Sequence, residues 1–406
     1  MKKPNKVIVR NSYYTFSREY PAGQLSTFRS HRHRRNGARR AGRVLLFVLL
    51  FCVVFAASFF AVDLALKISG RPIEAQAPSA DAAESGDDLP TLLTDGSELQ
   101  ALCLEPQTIR DRDSVKASIR QLKKRNCNSV ILDFKTQDGR LLYASLQQPA
   151  LLAGCSMFSN ETVRNAIKQY QNASIHVFAR VFCFEDPMIA SLDPAYAVTY
   201  MNTQVLWRDK KEDAGGKPWL NPYSAGARKY LLGVLKELSA FNLGGVILES
   251  VCFPTGDNLS SAYFAGESGG ASRNGVLRRF LNQAAAAMPD GRFLLVGVSA
   301  DEQQYGSDEK YDGFLTSDKI DGVYLHTKGR VDPAVKYADY LQQINNYVLL
   351  ESNLPEGQKL LLEVPQEEYS RAYVRTLWRN GFVRLALTDT AYAVQTPTET
   401  ESEPAQ

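Results

Sequence analysis

Nineteen consecutive residues, Val44 to Val62, read VLLFVLLFCVVFAASFFAV and contain no charge, proline or glycine. A run this uniformly apolar is close to the roughly 20 helical residues needed to cross ~30 Å of hydrocarbon. Backbone amides find no water there, so a helix satisfies them. The sequence therefore predicts one transmembrane helix over residues 44–66. Arg39, Arg40 and Arg43 abut its start, whereas Asp63 and Lys67 follow its end. The Lys/Arg excess on the N-terminal side predicts a cytoplasmic N-terminus and a C-terminal domain outside the membrane. A cleaved signal peptide is the rival reading. It fits less well, because the apolar run exceeds the usual ~7–15 residue core and the small-residue site Ala75-Gln76-Ala77 lies well beyond it.

Charge divides at the same place. Residues 1–43 hold twelve Lys or Arg and one acid, Glu19, a net +11, which leaves −8 for the rest of a chain whose total is +3. The tail has no apolar period and is predicted to be a disordered, basic cytoplasmic segment. Its expected partner is anionic lipid, since juxtamembrane Lys and Arg contribute about 1 kcal/mol each near a charged surface. Nucleic acid is not expected, because no folded recognition motif accompanies the charge. Residues 67–98, rich in Ala, Pro, Ser, Gly and Asp, read as a flexible linker, and residues 395–406 as a second disordered tail.

Between them, in residues 99–394, short β-branched runs alternate with longer helical patterns. Strands are expected at Leu99–Leu104, Asn128–Phe134, Ile175–Phe182, Gly245–Val251, Arg292–Ser299, Gly322–His326, Lys359–Val364 and Val383–Leu387. Helices are expected at Arg112–Arg125, Glu161–Tyr170, Ala225–Phe241, Gly275–Met288, Pro333–Leu350 and Glu367–Arg379, whereas Asp301–Asp318 reads as a loop. Apolar runs bounded by polar residues suit strands buried on both faces of a parallel sheet. Eight such strands alternating with helices predict an α/β fold, a (β/α)8 TIM-type barrel. An open doubly wound sheet would put a glycine-rich nucleotide turn after the first strand; Glu105-Pro106-Gln107 is not one.

Five of the six cysteines fall in this outer region, an odd and unpatterned set without a CxxC, so no disulfide framework is expected. No cofactor is implied, and no cluster of metal-ligand residues stands out.

Barrel active sites lie at the C-terminal ends of the strands. The second strand ends in Asp133-Phe134-Lys135, and the third contains Arg180 and runs into Phe184-Glu185-Asp186-Pro187. The fourth carries Glu249, the sixth ends at His326 and the seventh carries Glu363, while Asp389 follows the eighth. Asp133 and Lys135 share one side of their strand, so they form either a buried ion pair beside Arg180 or substrate contacts. Asp186-Pro187 fits a helix N-cap followed by proline in the first turn. Trp207, Trp219 and Tyr223 either stack on sugar rings or form loop core. Glu249 and Glu363 are the sharpest constellation, because glycoside hydrolysis uses two carboxyl groups flanking the scissile bond.

Four segments carry a family resemblance: VILDFKTQDG, ARVFCFEDP, Trp207 with Trp219-Leu220-Asn221-Pro222-Tyr223, and Phe253-Pro254. They resemble a family of bacterial barrel domains of unknown function grouped with the glycoside hydrolases. The resemblance spans Leu99 to Leu387. It implies that Asp133, Lys135, Arg180, Asp186 and Pro187 occupy the family's motif positions. Its fourth-strand pattern, Phe-Asp-Tyr-hydrophobic-Arg-Phe-Pro, reads Leu248-Glu249-Ser250-Val251-Cys252-Phe253-Pro254 here, with Glu, Ser and Cys replacing Asp, Tyr and Arg. Cys252 and Cys183, at neighbouring strand ends, form a candidate disulfide.

Two functions compete. One is a membrane-anchored hydrolase acting on a cell-surface, cell-wall or environmental polysaccharide. Its catalytic residues are Glu249 and Glu363, and Asp133, Lys135, Arg180, Trp207, Trp219, Tyr223 and His326 contact substrate. The other is a catalytically inactive barrel that binds glycan or acts as a scaffold. An open cleft with paired carboxylates, one of raised pKa, favours the first.

Overall fold

The structure, a computed structural model, describes residues 6–10, 17–21, 99–288, 292–299, 309–327, 337–365 and 371–388. The chain divides into two compact units, Met1–Gln76 and Ala77–Gln406. In the first, β1 (Lys6–Arg10) pairs antiparallel with β2 (Ser17–Pro21). The expectation of disorder throughout residues 1–43 is corrected at these strands, where the β-branched run Val7-Ile8-Val9 favours extended backbone. The predicted membrane helix, the linker 67–98 and the tail 395–406 lie outside the described residues. Among the described residues, no helix is long and apolar enough to cross a membrane.

The second unit contains a closed barrel of eight parallel strands. They are β3 (Leu99–Leu104), β4 (Ser129–Lys135), β5 (His176–Phe182), β7 (Gly245–Glu249), β9 (Phe293–Ser299), β10 (Gly322–His326), β11 (Lys359–Pro365) and β12 (Arg384–Thr388). Strand β12 closes on β3, with Arg384 opposite Leu99. Each expected strand is present within two residues. β7 stops at Glu249 instead of Val251 because Ser250 adopts the left-handed region, φ 49°, which no strand continues through.

All six expected helices are present, over Arg112–Lys124, Asn160–Asn172, Ala225–Glu237, Arg273–Ala287, Tyr337–Ser352 and Arg371–Arg379. Several begin on side-chain caps: Asp111 accepts from the amides of Asp113 and Ser114, and Ser159, Ser224 and Ser272 accept from Thr162, Ala227 and Gly275. The described part of the Asp301–Asp318 loop, residues 309–318, contains no helix. The Asp186-Pro187 step does start a short helix, Pro187–Ala190; helix Gln148–Ala153 and the antiparallel pair β6 (Thr199–Tyr200) with β8 (Ala262–Tyr263) were not anticipated. That pair ties the loop after β5 to the loop after β7 at the C-terminal end of the barrel.

Packing follows the two-residue period of the strands. Val130, Leu132, Val177, Ala179, Val246, Leu248, Val323 and Leu325 join the helices in the outer core. Ala101, Cys103, Ile131, Phe178, Ile247, Leu295, Tyr324, Leu361 and Ala386 form a separate buried cluster with members from all eight strands, which is the filled barrel interior. Two residues further along seven of those strands stand Asp133, Arg180, Glu249, Gly297, His326, Glu363 and Thr388. The apolar plug therefore ends where a charged layer begins.

Candidate active site

Alternation alone carries the charged groups inward, and burial then forces them to pair, because an isolated charge in the interior is costly. Arg180 Nε lies 2.5 Å from Asp133 Oδ1. Lys135 Nζ lies 2.9 Å from Asp186 Oδ2 and donates to the Phe182 carbonyl at 2.8 Å. Lys135 and Asp186 are both fully enclosed. The Asp133–Lys135 ion pair, one of the two readings of these residues, is thus replaced by two other pairs. The reason is local: the β4–β5 register shifts between Asp133 and Lys135, which breaks simple alternation at that point. Asp186 also caps helix Pro187–Ala190 by accepting from the Ile189 amide at 2.9 Å, as the Asp-Pro step suggested.

His326 is the hub of the layer. Its Nε2 lies 2.9 Å from Glu249 Oε2 on β7, and its Nδ1 bonds Glu363 Oε2 on β11. Both carboxylates are buried, and the imidazole is the most open of the three, at 16%. Burial alone would lower the His326 pKa, but Glu249 and Glu363 outweigh it and hold the ring up at about 10. Burial would likewise raise the Glu363 carboxyl; His326, its hydrogen bond and Arg180 reverse that and leave it lowered. At neutral pH the hub is an imidazolium held between two carboxyl groups, with Glu363 ionised. Glu249 Oε1 is buried without a hydrogen-bond partner. Space for Glu249 comes from Gly297 on β9, where a Cβ would sit 2.0 Å from Glu249 Oε2.

One carboxyl group passed over in the sequence is Glu185, in the loop after β5. It is buried, and accepts from Gln137 Nε2 at 2.6 Å and Ser250 Oγ at 3.1 Å. Burial raises its pKa, partly offset by those two bonds and by Lys217. Its signal in the sequence was its place in Phe184-Glu185-Asp186-Pro187, just beyond a strand end.

The aromatic candidates are packed into the loops. Trp207 is fully buried with its Nε1 directed to the Asn258 carbonyl at 3.4 Å, and Trp219 is nearly so, donating to Asp209 Oδ2 at 3.1 Å. Tyr223 donates to the Ala271 carbonyl and packs on Phe253, ring centroids 5.3 Å apart. Neither tryptophan offers a ring face to a sugar; both are core of the loops that β6 and β8 join. Cys183 and Cys252 are buried thiols with no disulfide joining them, and burial pushes the Cys183 thiol up to about 12. Among the described residues, no group of three or more His, Cys, Asp or Glu is arranged to hold a metal ion.

Fold and site together define a (β/α)8 barrel with a buried acid–histidine–acid cluster at its C-terminal mouth. The chain belongs to the family described as "Putative glycosyl hydrolase domain", which matches residues 101–307, from β3 into the segment after β9. Among solved structures, a hypothetical protein from Ruminiclostridium thermocellum is 26% identical, with 48% of this chain and 96% of that one covered and a TM-score of 0.42. A GH20 exo-β-N-acetylglucosaminidase from Vibrio harveyi is 13% identical over 66% of this chain and 41% of its own, TM-score 0.44. A GH20 β-N-acetylhexosaminidase from Streptomyces coelicolor is 11% identical over 66% and 48%, TM-score 0.40. This chain therefore spans less than half the length of either GH20 enzyme. Among curated proteins, none matches this chain.

Proposed function

We propose that the protein is a membrane-anchored, extracytoplasmic glycoside hydrolase acting on a cell-surface or environmental glycan. The observation that carries the reading is the placement of Glu249 and Glu363 on either side of one imidazole at the mouth of a glycosyl hydrolase family barrel. In this reading, the ionised Glu363 accepts a proton from the attacking water. The unsatisfied Glu249 Oε1 receives a hydrogen bond from a sugar hydroxyl or that water. The Asp133–Arg180 and Lys135–Asp186 pairs balance charge around them. The anchoring half of the proposal rests on Val44–Val62 and the flanking arginines, with the basic tail against anionic lipid on the cytoplasmic face.

A second reading, a catalytically inactive barrel that binds glycan, is favoured by one observation: His326 occupies the space between the two acids. One experiment separates the two. The full-length protein in detergent is assayed on a panel of 4-methylumbelliferyl glycosides and on peptidoglycan, and any activity is re-measured in Glu249→Gln and Glu363→Gln. Each variant should lose about 10²–10⁴-fold in kcat if its carboxyl group takes part in proton transfer. Binding across the panel without cleavage would select the inactive barrel.

A further inference from the structure

The hub at the mouth has a base but lacks an acid. Its proton sits on His326, whose pKa of about 10 makes it a reluctant donor near neutrality. Glycosidic cleavage nevertheless requires that the departing oxygen be protonated as the bond breaks. Three strand ends converge on a carboxyl group that meets the need. The amides of Cys183 and Phe184 donate to the carbonyls of Glu249 at 2.8 Å and Ser250 at 3.1 Å, so β5 and β7 stay paired beyond their ends. This carries Glu185 to the mouth beside Ser250, where Gln137, beyond the end of β4, meets its other oxygen. Ser250 holds its hydroxyl on Glu185 from a left-handed backbone, φ 49°. For a residue other than glycine such a conformation is strained, and it concentrates at functional sites.

Resting on the hydrolase reading above, we propose that Glu185 is the proton donor of this site, delivering its carboxyl proton to the glycosidic oxygen. The step balances. The bond from the anomeric carbon to the glycosidic oxygen breaks, its electron pair stays on that oxygen, and the Glu185 proton joins it. A water oxygen forms the new bond to the anomeric carbon and passes its proton to Glu363. Solvent then returns a proton to Glu185 and removes one from Glu363. The raised pKa of Glu185 supports the assignment, since an acid must hold its proton near the working pH. The charged groups acting on it are Lys217, which lowers the pKa, and Asp209, which raises it; Gln137 and Ser250 are the neutral donors that lower it. Among the described residues no Lys, Arg or His forms a salt bridge with it, in contrast to Glu363.

The test uses the full-length protein and two glycosides of one sugar that it cleaves, the 4-methylumbelliferyl and the 2,4-dinitrophenyl. Glu185→Gln should lose about 10²–10⁴-fold in kcat on the first. It should lose far less on the second, whose leaving group departs without a proton. The alkaline limb of the kcat/KM profile should vanish. Ser250→Ala removes a bond that favours the charged carboxylate, so it should move that limb to higher pH. Equal losses on both glycosides, or methylumbelliferyl turnover within a few-fold of the unmodified protein, would overturn the assignment. If Glu185→Gln does not fold, the Ser250→Ala profile decides: an unmoved limb overturns it. Cleavage by the unmodified protein with Glu185 dispensable sinks this proposal alone. No cleavage anywhere on the panel sinks the hydrolase reading with it.

Discussion

Glu249 and Glu363 stand on β7 and β11, strands separated in the barrel by β9 and β10, yet a single imidazole, His326, bonds both. The cation is therefore a structural tie across the mouth as well as part of the site, and removing it leaves two buried carboxyl groups facing each other.

Stability should depend on that tie in a particular pH window. The His326 pKa is raised from 6.5 to about 10, so its contribution is fully present below 6.5 and is lost as pH rises towards about 10. The Glu363 pKa is lowered from 4.5, so its contribution is present above 4.5 and lost as pH falls through the lowered value. His326→Gln should cost about 3–5 kcal/mol, as for a buried pair stripped of one partner. Thermal melting should show the largest gap between variant and unmodified protein between pH 4.5 and 6.5, narrowing towards pH 10. A gap that stays constant with pH would show that the ring is not held as a cation.

Gly297→Ala tests whether the position of Glu249 matters. The added Cβ would fall 2.0 Å from Oε2 and 2.5 Å from Cδ, so the carboxylate must leave His326. A displacement of about 1 Å can cost roughly 10²-fold in turnover. The expected result is a loss of that order in kcat. Unchanged kcat would remove Glu249 from the catalytic site.

Lys135→Met isolates the second buried pair. Asp186 would lose its cation in an enclosed site, at about 3–5 kcal/mol by chemical denaturation. Adding Asp186→Asn, which retains the oxygen that caps Ile189, should recover part of that loss. Additive losses in the double variant would contradict direct pairing.

Trp207→Ala should act on folding and leave glycan recognition intact. The side chain is fully buried, and truncating such a residue costs about 3–5 kcal/mol. A melting temperature near the original, with weakened glycan binding, would instead place the ring in the binding surface.

Topology is open to a direct measurement. Protease added to intact cells should digest the barrel and spare residues 1–43, given the arginines before Val44. A protected barrel would reverse the orientation.

The strands and their charged ends were legible because they depend on local periods. Ile131 and Asp133, Ile247 and Glu249, Tyr324 and His326, Leu361 and Glu363 each sit two residues apart, so one glance along a strand places the second member inward and nearer the mouth. Helix starts were legible for the same reason, since Asp111 and Asp186 act on amides two or three residues away. Trp207 and Trp219 were ambiguous, because nothing local says whether an aromatic in a long loop faces solvent or core.

What the sequence determined by itself was the order of strands and helices, the barrel they imply, and the set of charges at its C-terminal end. Tertiary structure alone decided the partners: Asp133 with Arg180 and not Lys135, Lys135 with Asp186, and His326 between two glutamates. Those choices depend on register, on the shift between Asp133 and Lys135, and on which strands meet across the closed barrel. Such relations join residues 37 to 77 positions apart, as in His326 with Glu363 and His326 with Glu249. No local period reports them, because the pairing of distant charges is chosen by burial only after the strands have closed.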